Sequence, residues 1–487
     1  MAQRSLKVNW FYNTLLNVLK ILFPLITVPY ISRVLAPEGV GLFNFANTYV
    51  SYFAMLAALG IPTYGIREVA RVREDKDALQ RLVNQLFSIT VFTTAAISVL
   101  YLASIFFIPK LSADLAVFLV IGFVLYLTPI SIDWFWFGEE DFKFVTLRSL
   151  IIKTICTVCL FVFVKTRQDL LIYVIIMVLN GVVNNIWNFV RMWRSGIHPR
   201  VVTTGLRQHM APTLTLFASA VAISVYTLLD TVMLGFMREY EEVAYYTNAA
   251  NISKMIVAIV TSLSAVTMPR VSSYLNAGDR ESINRIADKS LSFIVFLVFP
   301  AAVGLCCLAR EFVPLFYGPM FMGTVLPLQI MSFVIVAIGL NNLAGMQMLV
   351  GLGHDKQYLR AIVVGAALNF IGNCMLIPRL GATGASMTSV AAETVILVVM
   401  LYYVRKCSFL RLHAGADTLK SLLGALLLIP LGILLSRALD GWWFVVLYMI
   451  AGAAMYVAVE AILGHKAISV MINGVRESLI KNGFIKG

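Results

Sequence analysis

The chain of 487 residues is 60% hydrophobic and only 13% charged, with a formal charge of +13, against roughly 45–50% and about 25% for soluble domains. That composition, with a mean hydropathy of +0.86, excludes a soluble enzyme, a secreted disulfide scaffold and a disordered chain, and predicts an integral membrane protein. A charge of +13 would suggest nucleic acid in a soluble protein, so the positions of those charges have to be found before any partner is inferred.

In chain order, Arg4 and Lys7 precede an apolar run that reaches Arg33. This run is too long for a signal-peptide core and has no small-x-small cleavage site, so it reads as a retained first membrane helix. Crossing the hydrocarbon takes about 20 apolar residues, and breaks at charged or Pro/Gly-rich positions leave fourteen such runs. They are 10–33, 40–66, 80–107, 113–137, 145–164, 169–193, 208–234, 243–270, 286–310, 325–351, 358–377, 383–404, 418–437 and 442–463. The runs are apolar throughout rather than alternating, which argues against a membrane barrel.

Within the first run, Pro24 and Pro29 in FPLITVPYISR remove two helical N–H donors and predict a bend, a candidate hinge. Trp134 and Trp136 in ISIDWFWFGEEDF read as an interfacial aromatic belt, with sugar stacking a distant second. Cys156 and Cys159 form a C-x-x-C, but TICTVCLFVFV places no basic group beside them to lower a thiol pKa, so small core residues are expected. The five histidines show no metal-ligand spacing. No phosphate-binding glycine loop, nucleophile elbow or paired-carboxylate loop is present in the sequence. No catalytic residue, metal or cofactor is therefore expected.

Charge sorts with the helix count. If the N-terminus is cytoplasmic, 27 Lys/Arg fall on that side and 8 on the other, with Lys20, Lys153 and Lys254 inside helices, which accounts for all 38. The cytoplasmic segments then carry a net +14, the external segments zero and the membrane −1. The charge is thus a topology signal that places both termini in the cytoplasm, and nucleic acid is not expected as a partner. Arg71, Arg73 and Arg81 read as topological anchors on the first cytoplasmic loop, with Arg67 beside them.

A shift of 204 residues superimposes Asn44, Ala46 and Asn47 on Asn248, Ala250 and Asn251, Asp75 on Asp279, Arg81 on Arg285 and Ser88 on Ser292. Six helices separate the copies, so the two halves share one orientation, the parallel-repeat plan of some transporters. The expected fold is all-α: six-helix lobes over 1–200 and 201–410 around a central cavity, joined through RSGIHPRVVTTGLR, with helices 13 and 14 and a tail over 411–487.

Ionisable groups at membrane depth cost roughly 2.5–3.5 kcal/mol each and face a cavity or a partner. Seven candidates sit within the helices, away from their ends: Lys20, Asp133, Lys153, Asp230, Lys254, Glu393 and Glu460. The lysines suit an anionic headgroup such as phosphate, or else a structural ion pair or snorkelling. Asp230 suits ion coupling, or else pairing with a lysine. Arg33 is one of few basic groups on the outer side, while helix packing accounts best for Glu460.

The opening segment FPLITVPYISRVLAPEGVGLFNFANTYVSYFAMLAALGIPTYGIREVAR resembles that of the polysaccharide-transporter family of bacterial flippases, in the superfamily that includes multidrug-and-toxin-extrusion exporters and the peptidoglycan lipid flippase. WFWFGEEDFKFVTLRSLIIK, LLDTVMLG with VAYYTNAANISKM, and ALNFIGNCMLIPRLGATGASMTSVAAET are similar to later segments of that family in order and spacing. The resemblance implies a non-enzymatic, multi-pass protein of the bacterial cytoplasmic membrane. It would move undecaprenyl-pyrophosphate-linked oligosaccharide outward by alternating access, for O-antigen, capsule or exopolysaccharide synthesis. Lipids, a polysaccharide polymerase and glycosyltransferases are the implied partners. By their placement in the runs, and not by a family motif, Lys20, Arg33, Lys153 and Lys254 are the phosphate-facing candidates and Asp230 a coupling or pairing residue. The rivals are a cation-coupled multidrug or small-solute antiporter of the same fold and, with less support, a membrane polymerase or ligase.

Overall fold

The computed structural model describes residues 6–407, 409 and 415–469. Among the described residues every regular element is helical, as the unbroken apolar runs require. The chain divides into two compact units, Met1–Val243 and Ala244–Gly487.

The first unit holds α1 (Leu6–Ala58), α2 (Ile61–Val72), α3 (Lys76–Phe107), α4 (Pro109–Ser112), α5 (Leu115–Ile121), α6 (Phe123–Tyr126), α7 (Asp133–Gly138), α8 (Phe142–Phe163), α9 (Leu170–Arg194) and α10 (Arg207–Met237). Next comes α11 (Tyr240–Asn276), which carries the chain into the second unit. That unit continues with α12 (Arg280–Phe316), α13 (Val325–Asn341), a π-helical segment Asn342–Val350, α14 (Asp355–Cys407), α15 (Gly415–Leu426), α16 (Leu428–Ser436) and α17 (Gly441–Ile462).

Nine helices among the described residues are long and apolar enough to cross a membrane, or ten if the segment bent by 40° between Leu115 and Gly138 is one span. Two of the nine cover two expected runs each. α1 is divided at Ala36 (φ 58°, ψ 174°), and α14 at Gly381 (φ 55°, ψ −131°). At the first break Pro37 also withholds the N–H that would bond the Arg33 carbonyl. The expected runs 208–234 and 243–270 lie on α10 and α11, parts of whose side chains are outside the described residues.

The expected run 40–66 is shorter than the sequence suggests. Leu59 and Gly60 take positive φ values of 48° and 75°, which ends the membrane helix and starts the amphipathic α2. Glycine is required at 60, because a Cβ there would lie 2.6 Å from the Thr213 carbonyl oxygen of α10. The apolar side of α2 buries Ile61, Tyr64 and Val69 against α3 and α7. Its exposed Arg67 and Arg71 both reach Glu68.

The basic connection after α9 is held rather than loose. Gln80, Asn84 and Ser88, spaced one turn apart on α3, bond the backbone of His198, Arg200 and Val202 at 2.7–3.0 Å. His209 then closes the start of α10, with Nδ1 2.8 Å from the Tyr64 hydroxyl and Nε2 2.8 Å from Gln85 Oε1.

In the second unit α12 is the central helix, packed by α13, α15, α16 and α17. Tyr456 donates to the Phe296 carbonyl at 2.9 Å, and Tyr448 to the Leu428 carbonyl at 3.0 Å. The two final helices are thereby fastened to α12 and to each other.

Candidate functional site

Helix α1 and helix α8 form one wall of the first unit, pinned at both ends. Thr146 donates to the Tyr12 carbonyl at 3.0 Å, and Tyr30 donates to the Val164 carbonyl at 2.7 Å while its ring lies 4.6 Å from that of Phe161. Between the pins, the half-buried Lys153 places Nζ 5.8 Å from the Phe23 ring centroid, within cation–π reach. The lysine thus stands against α1 where Pro24 withholds its N–H from the Lys20 carbonyl. Thr27 turns its hydroxyl back to the Phe23 carbonyl at 3.0 Å, a bond that tends to bend a helix. Backbone polarity and a cation therefore meet on a half-exposed stretch of α1.

The other expected residues are placed as follows. Arg33 is exposed at the end of this stretch, with Nη1 3.4 Å from the Pro29 carbonyl oxygen. Asp230 is buried on α10, at 4% exposure. Lys254 is exposed on α11, in the second unit. The side chain of Lys20 lies outside the described residues. The helix remains continuous through Pro24 and Pro29, and the non-helical residue falls at Ala36 instead.

A polar network around α7, α8 and α9 is the main feature that sequence reading missed. Arg148, only 3% exposed, donates from Nη2 to Asp133 Oδ1 at 3.1 Å and from Nη1 to Asn188 Oδ1. Asn188 donates in turn to the same Asp133 oxygen at 2.6 Å. Asp133 is therefore one arm of an ion pair. Close by, Arg191 bonds Asp141 at 2.8 Å and lies over the Phe144 and Trp136 rings, 3.8 and 4.5 Å from their centroids. The signal was present in the sequence: an arginine inside run 145–164, and Asn180, Asn184 and Asn188 spaced one turn apart on run 169–193.

Trp134 and Trp136 correct the expectation of an interfacial belt. Both are 5% exposed and belong to the core shared with α2 and α3. Trp134 packs on Gly65, where a Cβ would come within 2.5 Å of the indole. Trp134 finds its burial where that glycine lets two helices approach closely, while Trp136 is covered by the Phe144 ring and the Arg191 guanidinium.

A cleft of about 210 Å³ in the same unit is lined by Ala54 and Ala58 of α1, Phe123, Thr128, Ser131 and Asn185. The second unit has polar groups of its own. Asn341 donates to Glu393 Oε2 at 2.6 Å and to its carbonyl oxygen at 3.0 Å. Gln347, in the π-helical segment, donates to Ser264 at 2.8 Å, and Ser264 bonds Asn342. Across the break in α14, Asn373 donates to Asn369 at 3.2 Å and accepts from Thr388. Every cysteine is a free thiol, and Cys156 and Cys159 are half-buried.

Long apolar helices in two compact units, with charges kept at membrane depth by specific partners, define a multi-pass α-helical membrane protein. Comparison with known proteins gives that class a family. The model described as "Polysaccharide biosynthesis protein" matches residues 6–275, and the MatE model matches 216–375. The chain belongs to the polysaccharide biosynthesis protein family, whose model covers more than half of it.

Among relatives, it is 24% identical to the putative O-antigen transporter of Escherichia coli (strain K12), over 82% of this chain and 97% of that protein. It is also 28% identical to the probable flippase AglR of Haloferax volcanii, over 47% of this chain and 49% of that one. Among solved structures, the lipid II flippase MurJ in its inward closed conformation has the same fold. Its TM-score is 0.73 at 16% identity, covering 93% of this chain and 99% of that one. An inward-facing multidrug resistance MATE transporter of the MOP superfamily aligns with a TM-score of 0.63 at 14% identity, covering 79% and 94%.

Proposed function

We propose that this protein is a flippase that carries an undecaprenyl-pyrophosphate-linked oligosaccharide from the inner to the outer leaflet of the bacterial cytoplasmic membrane, for surface polysaccharide synthesis. The observation that carries this reading is the near end-to-end similarity to a putative O-antigen transporter, in a chain that also matches the polysaccharide biosynthesis model over 6–275.

The physical task is to take a strongly anionic, hydroxyl-rich headgroup through hydrocarbon while the polyprenyl tail remains in lipid. Cations at membrane depth offset the headgroup's desolvation, and an ammonium serves as a compact phosphate partner. In this reading Lys20, Arg33, Lys153 and Lys254 face the pyrophosphate, and Asp230 couples an ion or pairs with a lysine. Pro24 and Pro29 give α1 the compliance for alternating access between lobes 1–200 and 201–410, with 411–487 appended and both termini cytoplasmic. Membrane lipids, and a polymerase and glycosyltransferases of the same route, are its partners. No bond of the substrate is made or broken.

The match of residues 216–375 to the MatE model favours one rival, a cation-coupled exporter of small solutes on the same fold. Reconstitution in vesicles separates the two. Translocation of a polyprenyl-linked saccharide is expected. Absence of such transport together with proton-coupled export of organic cations would reverse the assignment.

A further inference from the structure

Helices α15 to α17, outside the sequence repeat, enclose ionisable groups that the proposed translocation does not use. Glu460 lies near the end of α17 at 0% exposure, and among the described residues neither of its carboxyl oxygens has a hydrogen-bond partner. Its carboxyl rests on Gly424 of α15, where a Cβ would sit 2.5 Å from Oε1; glycine makes the room it occupies. Past the helix end, His465 is also fully buried and accepts the Ala467 N–H at Nδ1, 3.1 Å away. With Nδ1 accepting, the proton of the neutral ring is on Nε2. That nitrogen lies 2.9 Å from Ser421 Oγ and 4.0 Å from Glu460 Oε2.

The other groups around the imidazole have partners. On α15, Asp417 accepts from Ser292 of α12 at 2.8 Å and lies 3.8 Å from Lys420 Nζ, which donates to the Gly464 carbonyl at 3.0 Å. From α12 comes the uncharged Phe296 ring, 5.4 Å between centroids, and Lys466 adds a positive charge from the segment itself. Burial holds the His465 imidazole below its ordinary range, against the opposing pull of Asp417. Burying a carboxylate without a donor is costly, and that cost is removed when the group holds a proton.

We propose that Glu460 and His465 form a proton-binding site that controls the docking of residues 465–469. Glu460 holds one exchangeable proton. When that proton leaves to water, the His465 Nε2–H swings from Ser421 to the new carboxylate and the ring withdraws Nδ1 from the Ala467 amide. The segment loses its tie, and Ala467 and Ile468, which sit with Phe296, Ala425 and Tyr456 in one apolar cluster, loosen. Re-protonation restores the docked form.

The test uses the full chain in lipid nanodiscs with its native cysteines replaced and a spin label on Ser469→Cys, read from about pH 5 to about pH 9, a range chosen to span carboxyl and imidazole titration. Label mobility is expected to rise once with pH, following a single proton. Glu460→Gln, which keeps the shape without the charge, is expected to hold the low-pH mobility throughout. An unsubstituted protein whose mobility is independent of pH, or a transition unchanged in Glu460→Gln, overturns the proposal. Should that variant fail to fold, ring-15N spectra of His465 in the unsubstituted chain decide. A change of ring environment in one proton step supports the site, and an invariant ring overturns it.

Discussion

In the first unit the buried guanidinium of Arg148 is met by a carboxylate, an amide and a ring face, with Asp133, Asn188 and Phe144 supplying them. In the second, the buried carboxyl of Glu460 is met by a glycine and, at 4.0 Å, an imidazole. Arginine keeps its charge at every accessible pH, so it can enter a membrane protein only where partners are built around it. A carboxyl has another option, because it can take a proton and be buried as a neutral group. The first arrangement fixes α7, α8 and α9 relative to one another. The second leaves a group whose state can change.

The contrast is most exposed to test at its charged end. Arg148→Met removes the cation and strands Asp133 and Asn188, and is expected to cost about 3 kcal/mol, the lower end for breaking a buried pair because Asp133 is partly solvated. Thermal unfolding in detergent measures it, and Glu460→Gln should retain the folded state in the same assay. If the two substitutions destabilise equally, the distinction between fixed and titrating charge fails.

A smaller effect comes from the packing that surrounds the first network. Gly65→Ala drives a methyl into Trp134 across a 2.5 Å gap, and about 2 kcal/mol of overpacking is expected in the same unfolding assay. Wild-type stability would show that α2 and α7 part easily and that the indole is not held by that contact.

On the functional wall, Lys153→Gln should lower translocation of lipid-linked saccharide about tenfold, the worth of roughly one charge-assisted bond, with an unchanged unfolding midpoint. Equal loss of stability and transport would instead make Lys153 part of the fixed framework, like Arg148.

The smallest effect belongs to a solvent-facing cap. Asp279 accepts the Ser282 N–H at 2.9 Å at the start of α12, and bonds to Ser282 hold its carboxyl below the usual carboxylate range. With the folded value lowered, its stabilisation is fully present above the unfolded value and is lost as pH falls through the folded one. Stability curves of the wild type and Asp279→Asn should therefore separate above about pH 4 and converge below it. Parallel curves would remove Asp279 from the acid-sensitive groups.

Legibility in the sequence followed how local each cause was. The proline-bearing first helix and the apolar runs were readable, because each depends on residues within a turn or two of one another. The stop at Leu59–Gly60 was not, since it depends on how closely the Thr213 carbonyl of α10 approaches. Trp134 and Trp136 misled for the same reason, as their burial depends on Gly65 for the first and Arg191 for the second, both far away in sequence. Arg148 lay near a run boundary and sorted with the cytoplasmic cations until Asp133 and Asn188 were found around it.

Composition and run length are enough to establish a helical membrane protein and to mark the residues apolar enough to cross. Hydrophobic length is a sum over neighbours in the chain and needs no fold to evaluate. Packing between distant helices sets which ionisable groups are held in partnership, Arg148 and Asp133 among them, and buries Glu460 against a glycine. The energy of a buried charge is set by the few atoms that surround it in space, and those atoms come from helices far apart in the chain.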